Sequence, residues 1–518
     1  MSVSRAAAGM GVATAISRGF GFVRVLVVAA VLGTTYLGNT FQAANSTSNV
    51  LFELLAAGAL SAVLVPTFVS LLDQGGDDEA NRLAGGLLWV ALCGLGAVTV
   101  AGVVGAPLIA RVLTANVDDP AIATEQRELA TFLLRFFVPQ VLLYAYGTVA
   151  TAWLYARRRF AITALAPIGN TVVIVAALVA FRVAAGPEPG LDLSSGERML
   201  LVVAGTGGVI AYVATLVGAA ARTGFRLRPR RRRRDPALGR LLRLAAWGVL
   251  LHANAGLLLS AALVFGNGVA GGVVAYQVAF VFFLAPYAVL AQPIHTAVLP
   301  ELARQAAHGD TSAFASTVRW ALDRMTVLVV PVAAAMAALA LPAMRVVAFG
   351  EARAQGPGLI AAALVGLAFG LLPYGALLLL ARAYYALGDS RTPAVVAIVS
   401  ALVGVATMAG LALATQGQAR VAALGIGHSV AYLVGAAALA FSLARRLGRP
   451  IVARMLPASL SAAGLLACMA WAATETVDPR GRAASLGWLA AVGAVGGVAY
   501  VAVVRRGWRR AAGVGVAS

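Results

Sequence analysis

Two arginines, Arg18 and Arg24, stand inside an apolar stretch at 6–33, in the run SRGFGFVR. A guanidinium within a membrane helix costs about 2.5–3.5 kcal/mol on insertion scales and is kept where it meets water or a partner. Six residues apart, the two point about 120° from each other on an ideal helix. Their long side chains can still reach one broad cavity. Guanidinium groups bind phosphates through charge-assisted, often bidentate hydrogen bonds, so such a wall suits an anionic headgroup. The competing use is snorkelling to an interface or a structural ion pair. The next apolar segment, 37–72, carries a polar stripe of Asn39, Gln42, Asn45, Ser46, Asn49 and Glu53. Steps of three and four place these residues on one helix face. Hydrogen-bond glue between helices needs fewer groups, so the stripe reads as cavity lining, with Glu53 as the partner of Arg18 or Arg24. The expected binding set is Arg18, Arg24, Asn39, Gln42, Asn49 and Glu53.

Other chemistry is thin. Asn170, His252, Asn254, Gln277, Gln292, His295 and Arg382 lie in or near apolar segments, and each alone reads as a helix–helix contact. Arg382 is close enough to a helix end to snorkel. The four histidines lack metal-ligand spacing. Cys93 and Cys468 are too far apart in apolar sequence to suggest a disulfide framework. No Walker A run, nucleophile elbow or paired catalytic carboxylates occur, so the chain reads as a non-enzyme with no cofactor.

The elements that must position these residues follow from composition. Of 518 residues, 61% are hydrophobic and 12% charged, with a mean hydropathy of +0.87. That is a chain for lipid, since soluble proteins are about one-quarter charged. Each crossing needs about 20 apolar residues. Apolar stretches separated by Gly, Pro and charge predict an all-α polytopic membrane protein of about 14 helices, with 6–33 as the first rather than a cleaved signal. The net charge of +20 is carried by arginine, with no lysine. Its clusters at 157–159, 226–234, 445–449 and 505–510 all fall on one side of the expected topology, which makes both termini cytoplasmic and nucleic acid an unneeded partner. VLVPTFVSLL at 63–72 and AVLPELARQA at 297–306, with Pro-bearing helices near 139 and 373, suggest a duplication at a spacing of about 230. The expected layout is an N-terminal lobe of helices one to six at 1–222, a basic linker at 223–237, a second six-helix lobe at 238–446, and two C-terminal helices with a basic tail at 447–518. Two parallel lobes predict a central cavity and alternating access.

The opening run from Ser17-Arg18 through Gly21-Phe22, Arg24, Asn49, Gly58-Ala59 and Pro66 resembles the MurJ/MviN family, the lipid II flippases of the multidrug/oligosaccharidyl-lipid/polysaccharide exporter superfamily. RAYYALGDSRTP, from Arg382 to Pro393, is similar to that family's turn after helix ten. The resemblance implies a multi-pass plasma-membrane protein that moves the lipid-linked peptidoglycan precursor outward for cell-wall biogenesis. It implies that Arg18 and Arg24 grip the diphosphate and that the last two helices admit the lipid tail. Membrane lipids and cell-wall synthesis proteins would be its partners. The chain departs from the family's charges at Val25, Asn39, Phe52 and Ala57, and its helix eight, AYQVAFVFFLAP, carries none. The alternatives are an exporter of another lipid-linked saccharide or of drugs, and a non-transporting membrane scaffold for envelope assembly.

Overall fold

The computed structural model describes residues 3–52, 58–73, 76–226, 228–229, 254–353 and 356–513. Every regular element among them is helical. Eleven helices are long and apolar enough to span a bilayer, or twelve when one bent pair is counted as a span. That falls short of the expected count of about 14. The difference lies at 37–72 and 238–265, where residues 53–57 and 238–253 are outside the described set and shorter helices flank them.

Contacts divide the chain into two units, Met1–Val274 with Phe349–Ala352, and Ala275–Ala348 with Arg353–Ser518. Unit 1 starts with α1 (Val3–Leu32), α2 (Tyr36–Phe52), α3 (Gly58–Asp73) and α4 (Asp77–Val104). It continues through α5 (Ala106–Leu113), α6 (Pro120–Phe137), α7 (Gln140–Ala156) and α8 (Phe160–Ala185). A sixth crossing is α9 (Ser195–Val202) and α10 (Gly208–Ala221) joined by one π-helical turn, and α11 (Asn254–Gly266) follows. α9 opens on a reciprocal capping box between Ser194 and Glu197. One core joins Leu32, Phe41, Leu133, Phe137 and Phe181, with Phe41 edge-on to Phe137 at 5.8 Å. A second gathers Phe68, Leu83, Trp153 and Phe225.

Polar pins tie the start of α2 to the turn after α11. Gln126 Nε2 donates to the Tyr36 carbonyl at 3.1 Å and to Thr40 Oγ1 at 3.2 Å. Asn267 Nδ2 donates to the Leu113 carbonyl at 2.8 Å. Gly271, at φ +72°, lies so close to Thr34 that an added Cβ would come within 2.3 Å of the Thr34 carbonyl carbon. Only glycine satisfies both the left-handed backbone and this approach.

Unit 2 begins in α12 (Gly272–Pro286), which runs through a π turn into α13 (Gln292–Ala307), and then α14 (Thr311–Ala338) and α15 (Ala340–Val347). α16 (Gly356–Ala368) and α17 (Leu371–Ala386) meet at a 45° bend. Pro373 has no N–H for the Phe369 carbonyl four residues earlier, which opens the helix there. α18 (Arg391–Ala414), α19 (Gly417–Leu447), α20 (Leu456–Val477) and α21 (Arg482–Gly513) complete the chain. α16 and α19 approach closely through Ala363, Gly366, Ala422 and Gly425, the small-residue contact that suits lipid-embedded helices. Ser429 Oγ donates to the Gly366 carbonyl across this contact, at 2.6 Å.

The core of unit 2 is aromatic. Tyr276, Phe280, Phe283, Tyr374, Tyr432 and His428 pack ring against ring. His428 Nδ1 lies 3.0 Å from the Leu424 carbonyl, which can only accept, so Nδ1 carries the proton and Nε2 accepts from the Tyr276 hydroxyl at 2.9 Å. α21 is held to α14 by Tyr500, whose hydroxyl donates to the Val327 carbonyl at 3.1 Å. The α17–α18 turn is closed by Asp389, which accepts from the Thr392 amide at 3.0 Å and its hydroxyl at 2.8 Å and pairs with Arg446 at 3.3 Å. The Thr392 amide first, then its hydroxyl and Arg446, hold this carboxyl below the ordinary aspartate range.

Two expectations follow. Gly271→Ala should destabilise the protein by more than about 2 kcal/mol, since the left-handed penalty alone is about 1–2 kcal/mol, read as a lower thermal unfolding midpoint in detergent. With the folded pKa of Asp389 depressed, its cap is fully present above the unfolded value of about 4 and is lost as pH falls through the lower folded value. Exchange protection of the Thr392 amide, corrected for intrinsic rate, should therefore hold on lowering the pH to about 5 and fall under stronger acid, and Asp389→Asn should remove that acid step.

Candidate functional site

α1 is anchored along one side only. Val25, Val28, Ala29 and Leu32 are buried, and α1 packs chiefly on α8. These residues occupy its C-terminal turns; earlier in the same spanning helix Arg18 is exposed and Arg24 half-buried. The Arg24 guanidinium is within electrostatic range of the Tyr144 hydroxyl in α7. Tyr144 packs on Phe52, the last residue of α2, at 5.0 Å between ring centroids, and interacts in turn with Tyr212 of α10. Four helices of unit 1 thus contribute to one region: Arg24 from α1, Phe52 from α2, Tyr144 from α7 and, beyond it, Tyr212 from α10. Among the described residues no carboxylate lies within ion-pair distance of either arginine.

The polar stripe of α2 divides into two uses. Asn39 is fully buried and spent on backbone: Nδ2 donates to the Val269 carbonyl at 2.7 Å, while Oδ1 accepts from the amides of Val273 at 3.0 Å and Val274 at 3.5 Å. It is a clamp across the turn into α12, with no polar atom left over for a ligand. Ser48 also faces protein, donating to Gln140 Oε1 at 3.2 Å, and Gln140 Nε2 donates to Thr206 Oγ1 at 3.0 Å. Gln42 is buried at 5% exposure, whereas Asn45 and Asn49 are half-buried. Asn45 precedes Phe52 by two turns on the same face, and Asn49 precedes it by one. Arg24, Asn49 and the Phe52–Tyr144 contact are therefore features of a single four-helix region. Arg18 lies nearly two turns before Arg24 in α1. Glu53 is outside the described residues, as are His252 and Ala57.

Tyr144 and Tyr212 are missing from the expected set. The signal for Tyr144 was available: it sits mid-span, one turn past Pro139, where the aromatic belt of membrane interfaces does not extend. The thinner candidates are structural. His295 is fully buried with Nδ1 3.4 Å from the Tyr287 hydroxyl. Asn170 fills the space over Gly208, where a Cβ would lie 2.2 Å from its Oδ1. Arg382 is half-buried in α17.

The family model described as "Lipid II flippase MurJ" matches residues 28–481. A probable lipid II flippase MurJ of Rhizobium meliloti (strain 1021) is 28% identical over 415 residues, covering 78% of this chain and 74% of its own. A probable lipid II flippase MurJ of Vibrio cholerae serotype O1 is 26% identical over 427 residues, 78% of each chain. The solved structure titled "Lipid II flippase MurJ, inward closed conformation" superposes with a TM-score of 0.75 at 17% identity, over 97% of this chain and 99% of that one. That likeness shows the fold, and the family match extends through both units. The chain is a multi-pass, all-helical membrane protein and belongs to the lipid II flippase MurJ family.

Proposed function

We propose that this protein moves lipid II, the lipid-linked peptidoglycan precursor, from the cytoplasmic to the outer leaflet by alternating access. The observation that carries the proposal is Arg24, a cation within a membrane span beside Tyr144, with no carboxylate partner among the described residues. A diphosphate supplies the charge that such a guanidinium lacks, and bidentate bonding orients it. Tyr144, Tyr212 and Asn49 offer hydroxyl and amide groups for the sugar, while Arg18 extends the cationic wall along α1. Glu53, read from the sequence as a partner of Arg18 or Arg24, lies outside the described residues. Asn39 acts here as the clamp that fixes α2, and Gln42 supports the same helix from a buried position.

No covalent step is needed. Transport of an anion along this path is non-enzymatic and draws on the membrane potential or an ion gradient, about 2.3 kcal/mol per charge per 100 mV. In this reading both termini lie in the cytoplasm: with the 14 spans expected from the sequence, the arginine clusters at 157–159 and 445–449 both follow even-numbered crossings. The six-helix repeats expected at 1–222 and 238–446 supply the moving bodies, with 254–274 and 349–352 grouped with the first of them in this conformation. Export of cationic drugs is disfavoured because that chemistry needs carboxylates along the path, and the region around Arg24 offers none among the described residues.

The test is rescue of cells depleted of their own lipid II flippase, with lipid II exposure at the outer leaflet as readout. Wild type should rescue. Arg24→Ala should lower the flipping rate at least about 10-fold, the scale of one lost charge-assisted contact of about 1.5–3 kcal/mol, and Arg18→Ala plus Arg24→Ala should abolish rescue. Correct membrane insertion without rescue by wild type would contradict the proposal.

A further inference from the structure

One short segment changes unit twice. Phe349–Ala352 cluster with unit 1, although Ala348 and Arg353 on either side belong to unit 2. The segment is one 3-10 turn, Gly350–Arg353. Glu351 Oε1 pairs with Arg182 Nη2 near the C-terminal end of α8 at 2.7 Å, both side chains being partly exposed. The Arg182 guanidinium is steadied by a second bond, from Nη1 to the Gly186 carbonyl. Gly350, at φ +60°, approaches α1 so closely that a Cβ would lie 2.2 Å from the Ala30 carbonyl oxygen. A Cβ on Gly33 would sit 3.0 Å from Glu351 Cβ. The turn is therefore seated on the ends of α1 and α8 by close backbone approach and one ion pair.

The duplication gives this contact a counterpart. α5 starts at Ala106 and α15 at Ala340, 234 positions later. At the same offset Asn116 corresponds to Gly350, and Ala30 corresponds to Val264. Asn116 Nδ2 in fact donates to the Val264 carbonyl at 3.5 Å. In each repeat, the loop after the short third-span helix reaches the carbonyl of the other repeat's first helix. The Asn116 contact is neutral and is backed by Asn267, which bonds the Leu113 carbonyl. The Gly350 contact instead leans on a partly exposed ion pair, which water can replace at little cost.

We propose that Arg182–Glu351 is a releasable latch: it holds the Phe349–Ala352 turn on α1 and α8 in this conformation and opens in the transport cycle. The inference rests on the alternating-access reading but not on the substrate. An ion pair of this exposure suits the role, strong enough to bias a two-state equilibrium and weak enough to exchange for water.

The test uses the full-length protein in nanodiscs with Cys93 and Cys468 replaced by serine and a reporter Ala352→Cys, a position within the turn that is only 1% exposed here. The rate of labelling by an impermeant maleimide is read without any lipid substrate, so failure of the latch and failure of the lipid II assignment are separable. Glu351→Gln should raise that rate about 2- to 5-fold, the scale of a partly exposed ion pair. Arg182→Gln removes the same pair from the other side and should do likewise, and the exchange Arg182→Glu with Glu351→Arg should return the rate toward wild type. Unchanged labelling in both single variants would overturn the latch. So would an increase that the charge exchange fails to reverse, because packing rather than charge would then hold the turn.

Discussion

A guanidinium in hydrocarbon must be solvated by something, and the N-terminal unit is organised around that requirement. α1 spends its C-terminal turns, Val25 to Leu32, on packing chiefly against α8, and its two arginines precede that buried stretch. Arg24 has the Tyr144 phenol of α7 within electrostatic range and no carboxylate within ion-pair distance among the described residues. A phenol is a neutral neighbour that stabilises the cation without cancelling it, so attraction for an incoming anion is preserved. A tight internal ion pair would have stabilised the arginine equally well and weakened it as a ligand.

The positions at which the family resemblance would place charges are occupied here by residues with local packing roles. Val25 is buried in the α1–α8 contact at 9% exposure, where a carboxylate would be desolvated. Asn39 both donates and accepts in its backbone clamp, and an ionised aspartate could not donate to the Val269 carbonyl. Phe52 packs its ring on Tyr144, filling space that a longer cation would enter. Uncharged α12 feeds the Tyr276–His428 aromatic core, whose hydrogen bonds are internally satisfied.

Much of this was legible in the sequence because membrane spans follow from apolar length and the backbone has no alternative to helix within lipid. The helices, the Pro-associated opening near residue 373 and the repeat spacing all follow from that rule. The use of the α2 stripe was not legible. Periodicity places Asn39 and Asn49 on a polar face, but only the fold reveals that Asn39 meets the free amides of α12 while Asn49 stays half-buried. The partner of Arg24 was equally hidden, since Tyr144 lies 120 positions away in sequence and reaches it only through the packing of α7. The π turns between α9 and α10 and between α12 and α13 coincide with glycine and proline runs, Gly205 to Gly208 and Pro286 to Pro293.

The central claim is that Arg24 recognises the diphosphate of a lipid-linked substrate. Its most direct test is equilibrium binding in nanodiscs, comparing lipid II with an analogue whose diphosphate is replaced by an uncharged linker, for wild type and Arg24→Gln. The account predicts that the variant loses at least about 10-fold in affinity for lipid II and little for the uncharged analogue, with the wild-type preference weakening as salt rises. Equal affinity of wild type and variant for lipid II would contradict it.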